Sequence, residues 1–96
     1  MINPIKEKQL IGKVKRGDTL AFRELVENYQ HLAYTVAYNI IKNAQDAEEV
    51  VQDSFIKVFG KIDQFKEEAK FSSWLFKIVY NTALSRIRKK QLVPLP

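Results

Sequence analysis

A chain of 96 residues is enough for one small domain with a single core and too short for two. Hydrophobic residues make up 46%, yet three Gly and three Pro are too few for the turns of a β fold, so the expected class is all-α, a bundle of about four helices. The absence of Cys excludes disulfides and thiolate metal sites, and the formal charge of +5 sits at one end: residues 1–70 balance eleven bases against eleven acids, whereas 71–96 hold Lys77, Arg86, Arg88, Lys89 and Lys90 and no acid.

The opening "MINPIKEKQL" carries charges where a signal peptide needs an unbroken apolar core, and no apolar run approaches bilayer length. A cytoplasmic location without membrane insertion is expected. From Pro4 to Arg16, Ile5, Leu10, Ile11 and Val14 among lysines predict a short helix with Pro4 in its first turn and Gly17 as its end. Asp18 caps the next helix. From Thr19 to Lys42, Phe22, Leu25, Val26, Tyr29, Ala33, Val36, Ala37 and Ile40 recur three or four apart, the signature of a long amphipathic helix. Tyr34, Tyr38 and Ile41 fall beside that stripe. His31, the single histidine, lies opposite it without a partner at ligand spacing, so no metal site is expected.

Asn43 reads as a helix stop, and "DAEE" as a restart in which Asp46 caps and Glu49 reaches back. Val50, Val51, Phe55, Val58 and Phe59 then form the buried face of a helix over about 47–59, ended by Gly60. Its exposed side is acidic. Acids in a first turn suit the helix dipole, but Asp53 lies too far in for that reason to cover it. Residues 61–70 read as a polar loop anchored by Ile62 and Phe65. Ser72 or Ser73 can cap a last helix reaching about Lys90, and "LVPLP", residues 92–96, reads as the start of a linker.

At about 100 degrees per residue, the last helix separates into two surfaces. Leu75, Phe76, Val79, Tyr80, Ala83 and Ile87 are assigned to the core. Trp74, Lys77, Asn81, Ser85 and Arg88 gather on the other side. Amides can hydrogen-bond base edges, bases neutralise phosphates, and an exposed indole stacks on an unpaired nucleobase. The competing reading makes Trp74 a lid on the core over Phe65 or Phe71. An enzyme is not expected: there is one His, no Cys, no glycine-rich phosphate loop and no carboxylate paired with a base, and no cofactor is called for.

Three segments occur in order: "FRELVENYQHLAYTVAYNIIKN", "DAEEVVQDSFIKVF" and "FSSWLFKIVYNTALSRIRKK". Together, over about Thr19 to Lys90, they resemble region 2 of a bacterial sigma factor of the extracytoplasmic-function (ECF) type. The resemblance implies a helical domain, residues 1–91, that binds core RNA polymerase through the β′ clamp helices and binds promoter DNA at the minus-ten element. It also implies an anti-sigma factor as a further partner. Carried over residue by residue, it implies polymerase contacts at Asp46, Glu48, Glu49, Gln52 and Asp53. The loop over 61–70 would hold a base flipped from the nontemplate single strand. Phe65, Phe71 and Trp74 would be its aromatics; Lys70, Lys77, Asn81, Ser85, Arg86, Arg88, Lys89 and Lys90 would contact DNA. One turn after Trp74, where primary sigma factors carry paired aromatics, this chain has Lys77 and Ile78, the ECF habit, so wedge-type melting is not expected. A region 4 would follow Pro96 in the family and is absent here. The acidic and basic surfaces are expected to stand apart, each free for its partner. Two alternatives stay open, a protein-only adaptor and a general nucleic-acid binder.

Overall fold

The computed structural model describes residues 2–92, the side chain of Leu92 excepted, and consists of four helices and one short 3-10 turn. Helix α1 spans Pro4–Lys15, α2 Thr19–Ile41, α3 Ala44–Lys61 and α4 Phe71–Leu92; the 3-10 turn is Ile62–Gln64. Local chemistry sets most of these boundaries. The Asn3 side chain accepts from the Lys6 amide ahead of Pro4, and the Asp18 side chain accepts from the Ala21 amide at 3.0 Å. Between α1 and α2 the chain reverses at Gly17, whose φ of 90° lies in the left-handed region open to glycine.

The α2–α3 junction differs from the expectation. Lys42, not Asn43, ends α2, adopting a left-handed conformation with φ 59° while its amide donates to the Tyr38 carbonyl. Asn43 then caps α3 by accepting from the Asp46 amide, so the cap lies three residues before the predicted one at Asp46. Gly60 does not terminate α3; it lies inside the last turn. Likewise α4 starts at Phe71, with the Lys70 carbonyl accepting from the Ser73 and Trp74 amides, and both serines lie inside its first turn. Leu92, expected in a linker, is the last of the described residues and is helical, and the remainder of the expected linker, 93–96, lies outside the described residues.

The core is shared by all four helices. Leu25, Ala37, Val50, Val58, Leu75 and Val79 are sealed within it, and α1 contributes Leu10, Ile11 and Val14. Truncating a sealed leucine such as Leu25 or Leu75 to Ala costs about 2–5 kcal/mol. Ile62 and Phe65 are buried, as their reading as loop anchors requires, so the chain between α3 and α4 is fastened to the core before it emerges. On α4 the buried arc is Phe71, Leu75, Val79, Thr82 and Ala83. Phe76 and Tyr80, assigned to the core, are 47% and 41% exposed and stack on each other with centroids 5.8 Å apart. Phe59 is also largely exposed, though its ring meets Phe22 edge to face at 4.9 Å. Among the described residues no helix is long and apolar enough to cross a membrane.

Candidate nucleic-acid and protein interfaces

The acidic residues of α3 do not form one surface. At 3.6 residues per turn, Asp46, Glu49 and Asp53 share one side of the helix, and Glu48 and Gln52 share another. The first side faces α4. Arg86 pairs with Glu49 and lies 3.8 Å from Asp46 and 3.9 Å from Asp53; Lys90 pairs with Asp46. The expectation of separate ridges is therefore corrected at this seam. Arg86 is drawn in because its aliphatic stem continues the buried arc of α4, which brings the guanidinium against three carboxylates. Arg86 and Lys90 are consequently not free cations for phosphate.

The second side of α3 faces α2 across a groove of about 1170 Å³. Phe22, Val26 and Tyr34 from α2, and Val51, Phe55, Ile56 and Phe59 from α3, supply a largely apolar lining; Glu27, Gln30, His31, Glu48 and Gln52 add polar groups. Ile56, one turn beyond Gln52, is 71% exposed. Sequence periodicity alone missed this groove. The sequence signal was an isoleucine lying off the buried stripe, beside Gln52. His31 is exposed on its border, and among the described residues no cluster of His, Cys, Asp and Glu could hold a metal ion.

The other candidate residues are gathered around the start and one edge of α4. Two of the predicted stacking aromatics are interior: Phe65 is 3% and Phe71 1% exposed. They meet at 5.6 Å with rings nearly perpendicular, and are withdrawn as base-stacking groups because their faces are already covered. Trp74 lies against both, with centroids 5.2 Å from Phe65 and 5.9 Å from Phe71, and stays half-buried. The lid reading and the platform reading thus describe two sides of one ring. Beyond it, Lys77, Asn81, Ser85, Arg88 and Lys89 are exposed, as is Lys70 before the helix. Lys77 and Arg88 have no ion pair among the described residues. Ser85 and Lys89 line a smaller cleft of about 280 Å³ at the α3–α4 seam, where the Lys57 ammonium donates to the Thr82 hydroxyl at 3.0 Å.

The family described as Sigma-70 region 2 matches residues 25–93. The chain is 39% identical over 84 residues to the ECF RNA polymerase sigma factor SigW of Bacillus subtilis, and 34% identical over 87 residues to the RNA polymerase sigma-H factor of Pseudomonas aeruginosa. The matches cover 88% and 91% of this chain but 45% of each relative, so the chain spans under half the length of these proteins. Among solved structures, an engineered region 2 of sigmaE in complex with GTAAAA superposes with a TM-score of 0.85 at 33% identity, covering 95% of both chains.

Proposed function

This chain belongs to the sigma-70 region 2 family, in its extracytoplasmic-function branch, and from that premise we propose that it binds core RNA polymerase and reads the minus-ten promoter element during transcription initiation. Sigma factors are initiation factors and not enzymes. The observation that carries the proposal is the acid-free edge of α4, where a half-buried indole, an exposed amide and unpaired cations follow one another beside an exposed loop. Trp74 offers a free side to an unpaired base, Asn81 and Ser85 offer hydrogen bonds, and Lys70, Lys77, Arg88 and Lys89 offer charge to phosphates. Phe65 and Phe71 act beneath, as the bed of the indole. A protein-only adaptor gives this edge no role.

Polymerase is assigned to the α2–α3 groove. Glu48 and Gln52 reach it directly, and Ile56 and Phe59 supply apolar area that a docking helix can cover. Asp46, Glu49 and Asp53 face α4 instead and would meet a partner only by exchanging Arg86 and Lys90 for its cations, which nets little. An anti-sigma factor would act by covering the same groove.

Trp74 is the sole tryptophan, so its emission reports its own surroundings. Adding a single-stranded minus-ten hexanucleotide from the nontemplate strand should quench that emission, and the binding should weaken as salt is raised. Unchanged emission with every hexanucleotide of the promoter would reject the assignment.

A further inference from the structure

We propose that Lys15 of α1 is a positioning residue for base recognition, setting the direction in which the loop between the 3-10 turn and α4 leaves the core. The inference rests on the minus-ten reading above and concerns a residue outside the matched span of 25–93.

Lys15 closes α1, and its ammonium donates to the Phe65 carbonyl at 2.8 Å, across fifty positions of sequence. The same ammonium stands 5.9 Å from the centroid of the Phe65 ring. One cation therefore holds both the backbone and the side chain of the residue at which the loop begins. Phe65 is the natural point of control. Its amide closes the 3-10 turn onto the Ile62 carbonyl at 3.1 Å, and its backbone then turns extended at φ −71°, ψ 121°. From there Lys66 to Lys70 run exposed until Phe71 is buried again. A second contact from α1, Lys8 to Glu67 at 3.6 Å, is exposed and weaker. Within the exposed stretch the described backbone bonds are the Ala69 amide on the Lys66 carbonyl and the start of α4 on Lys70.

A segment held at two buried ends, with little structure of its own, takes its shape from those ends. The base it would receive sits beside Trp74, which rests on Phe65. Rotating the Phe65 peptide would move the loop and tilt the indole bed together. A charged donor on a carbonyl is among the stronger hydrogen bonds, and its location under the loop favours orientation over bulk stability.

The test uses the 96-residue chain with Lys15→Met, which keeps most of the stem and removes the charge and the donor, and Lys15→Arg, which restores both. The probes are the single strand GTAAAA and its single-base variants, read by Trp74 emission, together with hydrogen exchange of the amides from Lys66 to Lys70. Unmodified protein should discriminate by about tenfold between the best and worst base at one position. In Lys15→Met that ratio should fall by about tenfold, and the loop amides, Ala69 foremost, should exchange about tenfold faster while those of α2 and α3 hold. Lys15→Arg should recover both readouts. A loss of affinity equal for every strand would make Lys15 a phosphate contact and overturn the proposal, as would unchanged loop exchange. Absence of discrimination in the unmodified protein would instead reject the minus-ten reading, leaving hydrogen exchange to decide whether the loop is held.

Discussion

Tyr29 shows how one hydroxyl ties α1 to α2. Its hydroxyl donates to Glu7, and its ring packs on Phe71 with centroids 5.0 Å apart. Burial, the hydrogen bond to Glu7 and the charge of Glu7, in that order, push the phenol pKa well above its ordinary 10.0. The sign of the consequence follows from proton counting. Above about pH 10 the unfolded chain has released this proton and the folded chain retains it, so the folded state binds more protons and stability falls with rising pH. The contribution is complete below the unfolded pKa and is lost toward the raised folded one. Tyr29→Phe keeps the ring and should cost about 1 kcal/mol at neutral pH. Its disadvantage against the unmodified protein should then shrink as pH climbs past about 10. Melting temperatures of both proteins across that interval check this, and a gap that stays constant throughout would refute the linkage.

At the scale of elements, α3 and α4 are joined by the ion pairs that Arg86 makes with Asp46, Glu49 and Asp53. The Arg86 side chain is 27% exposed and that of Lys90 58%, so screening weakens the second pair more than the first. Arg86→Met keeps the stem while leaving Glu49 and Asp53 without their cation and Asp46 with Lys90 alone. It should destabilise by about 1–2 kcal/mol, less at high salt, whereas Lys90→Met should stay within about 0.5 kcal/mol. Urea midpoints at low and high salt measure both; equal midpoints for Arg86→Met and the unmodified chain would reduce the seam to surface decoration. This seam also marks where sequence reading stopped. The cap at Asp18 was legible because it is made by residues within three positions of each other, whereas the Asn3 cap ahead of Pro4, equally local, is seen only in the fold. The long stripe of α2 was legible because burial on one side imposes its own period. Which neighbour meets which side of α3 depends on packing geometry, which no local pattern encodes. Hence the acids read as one surface, and the wheel of α4 assigns Phe76 and Tyr80 to the core because they lie beside its buried arc, although the described fold leaves them 47% and 41% exposed.

Considered whole, the molecule keeps its two proposed contacts on different sides of α3: the groove shared with α2, and the edge of α4 beyond Arg86. That separation makes the two activities independently removable. Ile56 is 71% exposed, so Ile56→Ser removes little that the fold uses and should leave the melting temperature nearly unchanged. It deletes apolar area from the groove, where truncating a central contact commonly costs about 1–3 kcal/mol of binding. Polymerase affinity should fall about tenfold or more on that basis, with quenching of Trp74 by single-stranded DNA retained. Asn81→Ala should do the reverse, losing base discrimination while binding polymerase like the unmodified chain. Competition pull-downs and emission titrations on the two variants read both activities in the same samples. Loss of both activities in Asn81→Ala would mean that the surfaces are one, whereas in Ile56→Ser it would place a shared contact at Ile56, which lines both the α2–α3 groove and the α3–α4 cleft.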